Sequence, residues 1–159
     1  MRKLWNRPDD AVWSLCTQSK KGLPNMNICT YVTAVSLEPK LMMIAVYKNT
    51  QTFKNVAIGN TVILQLLTSD LAPVVRVCGQ QSGKDIDKIS RLKKRYELQE
   101  EEGLYYFKDA AGFMILEVQQ RIKTSGDHDL LVGRVKKVKN LHDKPVLTST
   151  YLKAKGYIR

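Results

Sequence analysis

One run constrains the fold more than any other. Leu41 to Tyr47 is a continuous apolar stretch, entered through Glu38-Pro39-Lys40 and left through Lys48-Asn49-Thr50. Its length and turn-forming flanks suit a strand buried on both faces, and it is far too short to span a bilayer. Thr61 to Leu67 repeats that character. The rest of the chain carries further strand signals. Val12 to Thr17 is short and apolar, and Lys20-Lys21-Gly22-Leu23-Pro24-Asn25 reads as a tight turn. Asn27 to Leu37, rich in Thr, Tyr and Val, is read as one strand, ended where Pro39 removes a ladder donor. Leu104 to Phe107, Phe113 to Ile122, Asp129 to Val138 and Val146 to Tyr151 complete the set.

Three helices are expected between the strands. Thr52 to Ile58 places Phe53, Val56 and Ala57 at helical spacing, with Gly59 to stop it. Leu71 to Cys78 tolerates Pro73 in its first turn if Ser69 or Asp70 caps it. Asp85 to Leu98 has a narrow apolar face of Ile86, Ile89 and Leu92, and Ser82 with Asp85 resembles a capping box. Many strands with few, short helices mean a mainly β fold, a barrel or sandwich with helical insertions. There is no internal repeat and no Pro/Gly/Ser linker, so residues 1–159 are read as a single domain.

Bulk properties narrow the function classes. With no apolar core after Arg2 and Lys3 to serve as an export signal, the expected compartment is the cytoplasm. Cys16, Cys29 and Cys78 are odd in number and scattered, with no clustered histidines, which disfavours a disulfide framework and a zinc site. No metal is expected. The net charge of +11 favours anionic partners: nucleic acid, phosphorylated cofactors or an acidic protein. The basic residues are spread rather than gathered in one arm, as on a solvated face. A nucleic-acid-binding barrel would need aromatics interleaved with Lys and Arg, and Tyr96, Tyr105, Tyr106 and Phe107 form no regular platform. Trp5 and Trp13 are read as packing residues.

Three segments could carry chemistry. Ser125-Gly126-Asp127-His128 delivers one of only two histidines to the mouth of a strand, where it could meet a ligand or merely satisfy its own turn. Asp127 either orients His128 or stabilises its own loop. Lys48, Thr50 and Thr52 lead into a helix, whose unpaired N–H groups attract phosphate; the plainer alternative is a Thr52 cap beside a solvated lysine. Asn25, Asn27, Cys29 and Thr30 either line a groove or decorate an edge, and Cys29 reads better as inert than as a reactive thiol. There is no P-loop, nucleophile elbow or dinucleotide fingerprint, so an organic cofactor would supply what the side chains lack.

In this order the segments resemble the flavin reductase-like family, an FMN-binding split β-barrel. Thr17, Gly22 and Asn25 resemble its opening strand and turn, and Asn25 to Thr30 leading into Val35-Ser36-Leu37-Glu38-Pro39 resembles its asparagine and hydroxyl cluster with a Val-Ser-X-X-Pro ending. Lys48, Thr50 and Thr52 match the segment before the short helix at the flavin phosphate. Gly126-Asp127-His128, trailed by Gly133 and Val135, matches the family's Gly-Asp-His motif, and the likeness runs from about Val12 to Tyr157. The chain departs from the pattern where Ile28 replaces a usual threonine, Cys29-Thr30 an Ala-Ser-type pair, Val62 a phenylalanine and Gln65 an asparagine.

The resemblance implies FMN as cofactor, with FAD as the alternative, and NADH or NADPH as electron donor. It implies a flavin site of Asn27, Ile28, Cys29, Thr30, Lys48, Thr50, Thr52, Gln65 and His128, with His128 as the catalytic candidate. A homodimer is implied as well. The expected function is an oxidoreductase moving electrons from NAD(P)H through bound flavin to a flavin or protein acceptor. The alternatives are a flavoredoxin-like carrier served by a redox protein partner and, below it, a basic nucleic-acid-binding barrel.

Overall fold

The structure, a computed structural model, describes residues 3–158. Nine strands and four short α-helices are present among the described residues. The strands are β1 (Trp13–Gln18), β2 (Pro24–Cys29), β3 (Val32–Ser36), β4 (Leu41–Tyr47), β5 (Thr61–Leu66), β6 (Leu98–Glu101), β7 (Leu104–Phe107), β8 (Gly112–Ile122) and β9 (His128–Asn140). The helices are α1 (Gln51–Asn55), α2 (Val75–Cys78), α3 (Lys88–Lys93) and α4 (Ser149–Ala154). Seven strands form one antiparallel sheet in the order β2-β1-β5-β8-β9-β4-β3, and β6 pairs with β7 in a separate hairpin.

The sheet's two edge strands, β2 and β3, are consecutive in sequence and joined only by Thr30 and Tyr31. So short a link forces the sheet to curl until its edges approach, giving a half-barrel split along one seam. Alternation along β1 and β5 then divides two cores. Leu15, Val62 and Leu64 join Met42, Ile44, Val46, Leu116 and Leu131 inside the curl. Cys16 and Ile63 point the other way, into a second core with α2, α3 and β7 residues such as Cys78, Leu92 and Phe107. Gly133 on β9 lies against this wall: a β-carbon there would fall 3.1 Å from Leu116 Cβ, tighter than ordinary contact.

Several expected elements differ, each for a local reason. The expected strand from Asn27 to Leu37 is two strands, broken at the Thr30-Tyr31 corner. The strand at Leu41 to Tyr47 is not buried on both faces: Met42, Ile44 and Val46 enter the core, while Leu41, Met43 and Ala45 are only half-buried. Residues 69–74 form a 3-10 segment around Pro73 before α2, rather than one α-helix from Leu71. The expected helix from Asp85 to Leu98 shrinks to α3, because Asp87 caps Ser90 N–H at 3.0 Å and Leu98 pairs with Phe107 in β6–β7. Val146 to Tyr151 is no strand. Val146 and Thr148 make single bridges to Thr68 and Ala11, and Thr148 caps α4. Trp13 packs against the inner core, whereas Trp5 is 70% exposed.

Candidate functional site

The seam is where the backbone leaves room for a ligand. A cavity of about 270 Å³ lies there, walled by Asn27, Ile28, Cys29 and Thr30 of the β2 side and Ala45, Val46 and Tyr47 of β4, with Thr52 and His128 also lining it. A second cavity of about 210 Å³ shares Asn27 and Tyr47 with the first and continues past Asn49, Thr50 and Gln51 to Gly79, Ser82, Gly83 and Lys88. Taken together they fall within the roughly 300–1,000 Å³ of small-molecule sites.

Each wall has its own support. Thr50 caps α1: its hydroxyl accepts from Phe53 N–H at 3.1 Å and donates to the Tyr47 carbonyl at 2.8 Å. The cap therefore falls on Thr50 rather than Thr52. Thr52 is 1% exposed and accepts from the Asn25 amide at 3.0 Å. Asn55 likewise donates to Thr17 at 3.1 Å, so α1 is fastened to β1 and β2 by buried polar pairs.

His128 opens β9 directly opposite Tyr47 of β4. Its ring lies 5.3 Å from the Tyr47 ring and 5.7 Å from Tyr31, edge-on to the latter. Nδ1 is 2.7 Å from the Asp127 carboxylate. That contact holds the Asp127 carboxyl below the usual carboxylate range. Beneath this turn lies Lys48. Its ammonium donates to the carbonyls of Thr124 at 2.8 Å and Gly126 at 2.6 Å and sits 3.3 Å from Asp129. Asp129 is itself 3.7 Å from Arg121, whose guanidinium lies over the Phe53 ring. The lysine thus ties β4 to the 124–129 turn, and its donors are spent there.

Gln65 is placed apart from the seam. It is fully buried on the far face of β5, where its amide donates to Ser14 at 3.2 Å and its carbonyl accepts from Phe107 N–H at 2.8 Å. Its hydrogen-bonding capacity is consumed in joining β5, β1 and β7. Of the residues named from sequence, the structure brings Asn27, Ile28, Cys29, Thr30, Thr52 and His128 to the first cavity and Thr50 to the second. The Cys29 thiol is pushed up to about 12 by burial, which makes it inert at neutral pH.

Sequence reasoning missed Tyr31, Tyr47 and Lys88. The tyrosines carried no local signal beyond flanking the polar cluster. By sequence Lys88 falls on the helix expected from Asp85 to Leu98, among the spread basic residues that read as a solvated face, yet it is 3% exposed. Its ammonium donates to the Cys78 carbonyl at 2.8 Å and reaches Asn27 Oδ1 at 3.5 Å. Among the described residues no carboxylate pairs with it, and desolvation lowers its pKa from the usual lysine value. A buried cation with only neutral partners is costly, and an anion in the adjoining cavity would offset that cost.

A sequence profile of the flavin reductase like domain matches residues 10–154. The chain belongs to the flavin reductase-like family. Its fold agrees with solved structures of low sequence identity. The NADH:FAD oxidoreductase of Streptomyces globisporus superposes with a TM-score of 0.80 at 17% identity, covering 92% of this chain and 84% of that one. An FMN-binding protein from Thermus thermophilus gives 0.74 at 18%, covering 88% and 75%. A Sinorhizobium meliloti protein described as an oxidoreductase gives 0.78 at 19%; it covers 91% of this chain, which spans only 48% of it. A comparison with curated protein sequences gives no match. These likenesses agree with the mainly β split barrel expected from sequence.

Proposed function

We propose that this chain binds FMN in the seam groove and passes electrons from NADH or NADPH to a flavin or protein acceptor. The observation that carries the reading is the groove's two-part chemistry in a flavin reductase-like chain. Its apolar and hydroxyl-bearing part lies between β2 and β4, and its polar part ends at the buried Lys88 ammonium, which no carboxylate pairs with among the described residues. The residues present fit a flavin mononucleotide. Asn27, Ile28, Cys29 and Thr30 would flank the ring and ribityl chain, and Thr50, Thr52 and Lys88 lie toward the phosphate end. Lys48, with its donors engaged by the 124–129 turn, serves as the tether of that turn rather than as a phosphate ligand. His128 acts at the ring or the nicotinamide and is the candidate catalytic residue.

When bound, the flavin supplies two-electron transfer. The protein's own part is positional. The α1 fastening through Asn25–Thr52 and Asn55–Thr17 keeps one wall still, and Lys48 holds the turn that bears His128. FAD is the alternative cofactor, and the Streptomyces likeness favours keeping it in the tests. The single-domain reading of residues 1–159 and a homodimer belong to the same proposal. The β3 edge strand, with exposed Val35 on it and exposed Tyr31 and Leu37 flanking it, supports a second copy covering it. The +11 charge supports a second reading, a flavoredoxin-like carrier docking an acidic redox protein.

The visible spectrum of the purified protein, recorded before and after anaerobic NADH or NADPH, tests these readings. Flavin absorbance bleached by one nucleotide is the expected result. A yellow protein indifferent to both supports the carrier. A colourless protein that takes up neither FMN nor FAD overturns the flavin reading.

A further inference from the structure

The contact between Asp127 and His128 decides more than the placement of a ring. Asp127 is held as a carboxylate, since its carboxyl lies below the usual range, and a carboxylate only accepts hydrogen bonds. At 2.7 Å the proton between them must therefore belong to Nδ1 of His128. Among the described residues no group bonds Nε2, and the ring lines the seam cavity.

The surroundings keep this arrangement in place. Lys48 N–H donates to the Asp127 carbonyl at 2.9 Å, and Lys48 Nζ donates to the Gly126 carbonyl at 2.6 Å, so the backbone on both sides of the aspartate is fixed. Thr124 Oγ1 bonds the His128 carbonyl and accepts from Gly126 N–H at 3.1 Å, closing the turn on itself. Tyr31 and Tyr47 flank the imidazole at ring-centroid distances of 5.7 and 5.3 Å.

We propose that Asp127 is a positioning residue that fixes neutral His128 in its Nδ1–H form, so that the ring offers the groove a hydrogen-bond acceptor at Nε2. The ligand chemistry that meets it is an N–H or O–H donor, such as a carboxamide or imide N–H. This rests on the proposed function only in naming that ligand; the tautomer itself is a property of the ligand-free chain.

His142 supplies an internal reference. Its Nε2 lies 3.0 Å from the Lys108 carbonyl, which only accepts, so the second histidine must carry its proton on Nε2. The two histidines are therefore expected in opposite tautomers. Long-range 1H–15N NMR of the ligand-free protein in alkaline buffer reads both rings directly. The expected result is an Nδ1–H pattern for His128 and an Nε2–H pattern for His142. In Asp127→Ala the His128 pattern moves to Nε2–H, the form an unconstrained imidazole prefers, while His142 is unchanged and reports an intact fold. In Asp127→Asn, whose carbonyl still accepts, the Nδ1–H pattern is retained. An Nε2–H pattern for His128 in the unaltered protein, or no change in Asp127→Ala, overturns the proposal. A separate FMN titration of the unaltered protein judges the flavin reading, and its failure would leave the tautomer result standing.

Discussion

Gly83 lies so close to Asn25 that a β-carbon on it would fall 2.1 Å from Asn25 Oδ1. The 79–87 loop therefore closes on the floor of the groove at a point where only glycine fits. Beyond that contact a further cavity of about 380 Å³ opens between the β1–β2 turn and Lys84 to Asp87. The adjacent Lys84 adds a second tie for the loop, donating to Asn49 Oδ1 at 2.6 Å.

Gly83→Ala should unseat this loop. Asn25 is 6% exposed and its amide is committed to Thr52, so it cannot swing aside without breaking a buried pair. Overpacking of this kind costs about 1–3 kcal/mol. At roughly 3 °C per kcal/mol for a chain this size, the melting temperature falls measurably. FMN affinity should fall with it, because Asn25, Ser82 and Gly83 share one cavity wall. Calorimetric melting and FMN titration check both; a melting temperature unchanged by the added methyl would show that the loop does not rest on Asn25.

The cysteines should be silent until the protein opens. Burial pushes the thiols of Cys16, Cys29 and Cys78 up to about 12 from an ordinary value near 9.0. The reactive thiolate is then scarce at mildly alkaline pH even for Cys29, which borders the groove. Iodoacetamide labelling followed by mass spectrometry should find all three unmodified under native conditions and all three modified in urea. Prompt labelling of Cys29 alone would mark it as an active groove thiol.

What the sequence could and could not show follows from the range of the interactions. Thr61 to Leu67 was legible because both faces of β5 meet a core, so the run is apolar on both faces apart from Thr61 and the buried Gln65. Leu41 to Tyr47 looks the same in sequence, yet one face of β4 borders the seam, and only the curl of the sheet decides that. The Gly-Asp-His turn and the Asn27 to Thr30 cluster were legible because turn and strand chemistry are local. Lys88 was not: its burial depends on the Cys78 carbonyl ten residues away and on Asn27 across the groove. Resemblance alone points to Gln65, and the approach to a helix N-terminus together with the resemblance points to Lys48, whereas their distant partners Phe107 and Thr124 occupy groups a ligand would need.

Asp129 should make the turn acid-sensitive. Its carboxylate accepts from Thr124 N–H at 3.1 Å and pairs with Lys48, and these contacts hold its pKa below the ordinary 3.8. With a folded value below the unfolded one, the stabilisation is complete above the unfolded value and is lost as pH falls through the folded one. Asp129→Asn should therefore be less stable than the parent at neutral pH, and the gap should narrow steadily in acid below the ordinary carboxylate range. Urea unfolding midpoints measured across that range would reveal it; a gap independent of pH would assign the loss to packing rather than to charge.

Lys88→Met separates the phosphate end of the groove from the ring end. Removing a buried cation that no carboxylate pairs with among the described residues should leave the fold about as stable as before, since a thioether of similar length avoids the desolvation cost. If the ammonium meets a phosphate, its loss removes a charge-assisted bond of about 1.5–3 kcal/mol, a roughly tenfold to hundredfold weakening of FMN binding. Riboflavin, which shares the ring and ribityl chain but has no phosphate, should bind the variant and the parent alike. Fluorescence titration with the two ligands reads the difference. Equal losses for both would move Lys88 from the phosphate to the body of the groove, where its contact with Asn27 shapes the wall.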